Sequence, residues 1–124
     1  MTMVFEVMTR GVRAISPHAS AETAARAMDE WGMAFVPVCD GGKLVGVVSA
    51  RDIAVCTIAR GLPASSTPVG YLMSANPCCC YEDESYDAVL RGMDSHVARR
   101  IPVVDRARRL VGLLSLGEGP TASK

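Results

Sequence analysis

Two rhythms of apolar and polar residues alternate along this chain, and together they spell one order of elements twice. Between Ser20 and Gly32 the apolar residues Ala24, Ala25, Met28 and Trp31 return at helical spacing, which predicts a helix with one apolar face. Ser20 is placed as its N-cap, Glu22 lies in its first turn, and Gly32 is placed to end it. Phe35, Val36, Pro37 and Val38 read as an extended segment, with Pro37 confining it to a strand start or an edge strand. Asp40, Gly41 and Gly42 signal a hairpin turn, and the unbroken apolar run from Leu44 to Ser49 reads as a strand buried on both faces. A second helix is predicted from Arg51 to Arg60, stopped at Gly61, Leu62 and Pro63.

The same order then returns. Cys78 to Tyr81 reads as a short strand matching the region of Ile15. Glu82, Asp83 and Glu84 place negative charge at a helix start, and Tyr86, Val89, Leu90 and Met93 carry the apolar face. Ile101 to Val104 and Leu110 to Leu114 form a second hairpin. The copying is also literal. Val7, Met8 and Thr9 recur as Leu72, Met73 and Ser74, an offset of 65 (73 − 8), and Val36, Pro37 and Val38 recur as Ile101, Pro102 and Val103 at the same offset. Leu44 to Ser49 recurs as Leu110 to Ser115, an offset of 66 (110 − 44), so the one extra residue falls in the turn Asp105 to Arg109. An insertion confined to a turn is what two copies of one fold tolerate. The copies differ at their ends. Leu116, Gly117, Glu118, Gly119 and Pro120 will not sustain a helix, so the second copy is expected to lack its closing helix.

Composition narrows the classes. The chain has 124 residues, 49% of them hydrophobic, with 13 basic and 13 acidic side chains. It is too apolar for intrinsic disorder, and zero formal charge argues against non-specific binding of nucleic acid. Arg106, Arg108 and Arg109 make a local basic patch, read as a solvated turn. Glu6, Arg10 and Arg13 interrupt any signal-peptide core, and no apolar run approaches the ~20 residues that span a bilayer. A cytoplasmic location and no membrane partner are the expectations. Each copy alone is small for a stable core, so the two are expected to bury their sheets together. A homodimer is expected through helix faces around Met28, Trp31, Tyr86 and Met93.

Five cysteines, Cys39, Cys56, Cys78, Cys79 and Cys80, include no C-x-x-C pair, and His18 and His96 lie far from them in sequence. This spacing argues against a zinc site. In an extended segment Cys78 and Cys80 would share one face and Cys79 the other, with cysteine serving as a small hydrophobe. Redox sensing is the alternative reading of Cys78 to Cys80, and no charged neighbour that would activate these thiols is evident in the sequence.

Two copies of M-[TS], an amphipathic helix, a [VI]-P-V strand and L-V-G-h-h-S, from about Val4 to Ser115, resemble a tandem pair of CBS domains, a Bateman module. The resemblance implies an α/β (α+β) fold of two pseudo-symmetric β-α-β-β-α repeats, packed sheet to sheet. The expected boundaries are 4–62 for the first repeat, 63–68 for the linker, 69–118 for the second repeat and 119–124 for a tail. It also implies clefts between repeats that take AMP, ADP, ATP or S-adenosylmethionine as regulatory ligands, with no required cofactor and no catalysis. In the family the motif G-h-h-[ST]-x-x-D supplies a hydroxyl and a carboxylate, the latter to the ribose. The first copy keeps it, from Gly46 through Ser49 and Arg51 to Asp52; the second ends in Ser115 and Glu118. The resemblance completes the Asp52 cleft with Pro77, Cys78, Arg99 and Arg100 of the second copy, the arginines facing phosphate. It gives the other cleft Ala34, Phe35 and Val36 with Ser115 and Glu118, and no basic residue, so that cleft is expected to be degenerate. No metal ligand is implied.

Plainer readings stand beside these. Ser49 serves equally as an N-cap and Asp52 as a first-turn carboxylate. Arg99 and Arg100 serve as a solvated pair, and His96 as a helix-end histidine. Two functions therefore remain open: a sensor that converts ligand occupancy into dimer geometry or partner affinity, and an interaction or assembly module with a vestigial ligand site.

Overall fold

A computed structural model describes residues 1–75, 77–92 and 100–115. The chain forms α1 (Val4–Val7), α2 (Ala21–Trp31), β1 (Phe35–Asp40), β2 (Lys43–Ser49), α3 (Ala50–Ala54) with a π-helical continuation (Val55–Ala59), a 3-10 turn (Val69–Tyr71), β3 (Ser74–Ala75), β4 (Cys80–Tyr81), α4 (Tyr86–Gly92), β5 (Arg100–Val104) and β6 (Leu110–Ser115). The fold is mixed α+β, with two three-stranded sheets in the orders β1-β2-β3 and β4-β5-β6. It divides into two compact units. One is Arg13–Pro77; the other joins Met1–Val12 to the chain from Cys78 onward.

In the Arg13–Pro77 unit, α2 is built as its sequence dictates. Ser20 Oγ accepts from the Thr23 N–H at 3.1 Å, and Gly32 ends the helix in the left-handed conformation. The buried stripe is Ala21, Ala24, Ala27 and Met28, packed with Val36, Val38 and Val48. Ala25, expected on the apolar face, is exposed, because a stripe centred on Ala24 leaves it at the rim. Met28, expected at a dimer interface, is instead held in this unit's own core. Trp31 is half-buried against that core.

Strands β1 and β2 pair antiparallel across the two-residue turn Gly41-Gly42, with Asp40 opposite Lys43. Pro37 lies on an edge strand, as expected, where its missing N–H breaks no β1-β2 ladder. That edge is bridged by Ile15, whose N–H donates to Pro37 O at 3.0 Å and whose carbonyl accepts from Cys39 N–H at 2.9 Å. Strand β2 is buried on one face only. Leu44, Gly46 and Val48 are buried, while Val45 and Val47 are half-buried, correcting the expectation of two buried faces. The expected helix Arg51–Arg60 forms but changes pitch after Ala54. Thr57 Oγ1 donates to Ile53 O at 2.7 Å, and Arg60 N–H reaches back to Val55 O at 3.0 Å. A hydroxyl that occupies the preceding turn's carbonyl loosens the regular ladder, and the β-branched run Val55, Thr57, Ile58 favours the same widening.

In the other unit, β5 is central, parallel to β4 and antiparallel to β6. Pro102 precedes the stretch where β4 pairs, at Val103 and Val104, so again no ladder donor is missed. The core holds Val4, Met8, Cys80, Val89, Ile101, Val103 and Leu114. The expected strand Cys78–Tyr81 is shorter than predicted, beginning at Cys80. Met93, and the segment expected to lack a closing helix after Ser115, lie outside the described residues.

The compact units are not the sequence copies. The motif Met8-Thr9, which opens the first copy, pairs with the second copy's β6: Thr9 and Leu113 exchange hydrogen bonds of 2.8 and 2.9 Å. Its counterpart, Ser74–Ala75, pairs as β3 with the first copy's β2. Each arm needs a glycine beneath it. A Cβ on Gly112 would lie 2.7 Å from Met8 Sδ and 2.8 Å from Thr9 O; one on Gly46 would lie 2.5 Å from Met73 Sδ and 2.9 Å from Ser74 O. The copied Met and the copied Gly are two halves of one contact.

Candidate functional site

Ser49 and Asp52 stand where β2 runs into α3. Ser49 Oγ accepts the Asp52 N–H at 3.0 Å, and Asp52 Oδ2 accepts the Ser49 N–H at 3.0 Å. This reciprocal capping box satisfies two helix-end donors and locks the Asp52 rotamer. The plain reading of the pair as a cap is therefore realised. It also fixes a half-buried carboxylate at a strand-to-helix junction, with Oδ1 free of hydrogen bonds among the described residues. Arg51 is exposed one residue before it.

The other expected site residues fall within single units as follows. Phe35 lies directly opposite Ser49 in the β1-β2 register, Val36 is buried, and Ala34 O accepts the Ala50 N–H at 2.9 Å. Arg100, exposed, lies opposite Ser115 in the β5-β6 register, and the Tyr86 hydroxyl donates to Ser115 O at 3.5 Å. Residues assigned to different clefts are thus register neighbours, Phe35 with Ser49 and Arg100 with Ser115. Pro77 is half-buried and closes the first unit; Cys78 is exposed and belongs to the second. Arg99, Glu118 and His96 lie outside the described residues.

The cysteine run divides by depth. Cys80 is in the core, and burial first, then the Glu84 carboxylate and the neighbouring thiols, push its pKa up to about 12. Cys78 is exposed and Cys79 half-buried, so the reading of the run as buried filler holds for Cys80 alone. Sequence reasoning missed the charged neighbour of these thiols. Arg108 Nη1 lies 3.6 Å from Cys79 Sγ, brought there by the turn between β5 and β6. Nor is the basic patch simply solvated. Arg106 pairs with Asp83 and Arg109 with Asp105. The one-residue insertion in that turn was the available signal. Among the described residues, no group of three or more His, Cys, Asp or Glu side chains gathers as a metal site, and no helix is long and apolar enough to cross a membrane.

The family model of the CBS domain matches residues 4–56 and 69–118. The CBS domain-containing protein YhcV of Bacillus subtilis is 35% identical over 122 residues, covering 95% of this chain and 83% of its own. Hypoxic response protein 1 of Mycobacterium tuberculosis is 30% identical over 116 residues, covering 93% of this chain and 80% of its own. A solved structure of hypoxic response protein I holds two coordinated zinc ions and aligns with a TM-score of 0.81 over 92% of each chain. CBSX2 of Arabidopsis thaliana, solved in complex with AMP, is 26% identical and aligns with a TM-score of 0.81 over 99% of this chain and 96% of its own.

Proposed function

Because this chain belongs to the CBS-domain family and carries the domain twice, we propose that it is a regulatory pair that binds an adenosine-type ligand at the Asp52 junction. The observation that carries this reading is the aim of Asp52. One carboxylate oxygen is held by the Ser49 N–H, and the other has no hydrogen bond among the described residues. A fixed ionised acceptor suits a ribose diol, because charge-assisted hydrogen bonds to it need no further ordering of the side chain. AMP in the CBSX2 structure supports the ligand class. From the resemblance, Ser49 and Arg51 join Asp52, with Pro77 and Cys78 beside the base and Arg99 and Arg100 toward phosphate. Glu118 makes the second site the weaker one. The chain acts without catalysis and as a homodimer, occupancy altering dimer geometry or a partner's affinity.

Isothermal titration of the full chain with AMP, ADP, ATP and S-adenosylmethionine tests the reading. At least one is expected to bind, and Asp52→Asn is expected to weaken it about tenfold or more, the scale of one charge-assisted contact. Asparagine keeps an acceptor for the Ser49 N–H, so the cap and the Tm should survive. Folded protein that gives no heat with any of the four overturns the reading. The second reading, an assembly module with a vestigial site, would then stand. Its support is that the closed capping box explains Ser49 and Asp52 without any ligand.

A further inference from the structure

The turn between β5 and β6 gathers three arginines, and two of them are neutralised. Arg106 donates from Nε to Asp83 Oδ2 at 3.0 Å and from Nη2 to Asp83 Oδ1 at 2.8 Å, with its guanidinium 4.0 Å over the Tyr81 ring. Arg109 Nε donates to Asp105 Oδ2 at 3.0 Å. Arg108 forms no ion pair among the described residues. Its partners are the Cys79 thiol, 3.6 Å from Nη1, and the Tyr81 side chain.

Arg108 is held in place by its backbone. Its φ of 70° lies in the left-handed region, and its N–H donates to Asp105 O at 2.9 Å. Asp105 Oδ1 accepts the N–H groups of Ala107 and Arg109, each at 2.9 Å, clamping the turn on both sides of Arg108. An arginine that forms no ion pair among the described residues, a thiol and a phenol therefore converge between the start of β4 and the β5-β6 turn. Such a cation attracts an anion to the same spot.

We propose that Cys79 is a thiol-exchange site for small disulfides that carry carboxylates, with Arg108 pairing the carboxylate. The Cys79 thiolate attacks one sulfur of the incoming disulfide. A new S–S bond forms, the old one breaks, and its electron pair leaves on the second sulfur, which takes up the proton that Cys79 released. Cys79 is oxidised and the incoming disulfide is reduced, so no other oxidant is needed. The neighbouring thiols are less suited. Cys80 lies in the core, and Cys78, though exposed, has its thiol pKa raised by partial burial and then by Cys79. The site is independent of the ligand reading above, because it uses none of its charged groups.

The full chain would be reacted with dithiobis-nitrobenzoate, which carries a carboxylate on each ring, and with uncharged dithiodipyridine. The fastest thiol is expected to vanish in Cys79→Ser and to persist in Cys78→Ser. Arg108→Gln is expected to slow the anionic reagent about fivefold or more, and the neutral reagent less, with Arg108→Lys restoring most of the difference. Circular dichroism of each variant separates loss of fold from loss of rate. The proposal is overturned if the fastest thiol belongs to Cys78, or if folded Arg108→Gln slows both reagents equally or neither.

Discussion

The two compact units share an antiparallel hairpin met by a methionine arm and differ in the turn that closes the hairpin. Both hairpins carry a register shift at the same place, between Val38 and Cys39 in one and between Val103 and Val104 in the other. Both seat a methionine arm over a glycine. The first unit then turns through Gly41 and Gly42, with φ of 61° and 83°, which glycine adopts at no steric cost. The second turns through Asp105 to Arg109 and places Arg108, a residue with a Cβ, at positive φ. The Asp105 side chain supplies the holding bonds that glycine does not need. The arm contact is copied because its geometry leaves no room for change. The turn diverges because solvent accepts any side chain there, and the divergence brings a guanidinium to Cys79.

The comparison can be broken most sharply at the arm seats. Gly112→Ala is expected to cost ~2 kcal/mol or more, as overpacking against a backbone carbonyl that cannot swing away. Gly46→Ala is expected to cost a similar amount, because Ser74 O is as close as Thr9 O. Urea titrations of the two variants check this, and a loss confined to one of them would show that the seats are not equivalent. The turns should respond less and in opposite directions. Gly42→Ala is expected to lose about 1 kcal/mol, the penalty of the left-handed region for a residue with a Cβ. Arg108→Gly is expected to gain a few tenths of a kcal/mol or remain neutral, since relief of the left-handed strain is offset by a freer unfolded chain. Thermal melts of both variants would rank them.

The smallest effect concerns Asp83, which has no counterpart in the first unit's turn. Hydrogen bonds from Arg106 hold the Asp83 carboxyl below the usual carboxylate range, outweighing the desolvation that opposes them, and the Arg106 charge adds a lesser contribution. A depressed folded-state value means that the contribution is complete above the unfolded value of about 4 and is lost as pH falls through the folded one. The side chains are exposed, so only a slight acid-side loss is expected. NMR titration should find Asp83 returning toward ordinary carboxylate behaviour in Arg106→Gln. An unchanged titration would mean that the ion pair is not formed in solution.

Much of the fold was legible along the chain. Ser20, Gly32, the Gly41-Gly42 turn and the proline positions act through local backbone chemistry, so their spacing alone announces helix, turn and strand. The Ser49 and Asp52 pair was legible as a motif, and the structure adds the reciprocal bonds that aim the carboxylate. Ala25 and Val47 were misjudged because hydropathy records what a side chain tolerates rather than which neighbour covers it. The one extra residue marked the Asp105–Arg109 turn as different, but the Arg108 contact with Cys79 was not legible from it. It joins residues 29 positions apart, through a backbone conformation that sequence does not signal for arginine.

The sequence by itself determined that there are two copies, what elements each contains and which residues recur. Only the tertiary structure decided which arm lies on which sheet. Met8-Thr9 and Met73-Ser74 are near-identical in chemistry, and so are the glycine seats at Gly46 and Gly112. Either arm could satisfy either seat as far as local hydrogen bonds and packing are concerned, so no residue pattern distinguishes a copy that closes on itself from a pair that exchange arms. The structure shows the exchange: the first copy's arm closes the second copy's sheet, and the second copy's arm closes the first.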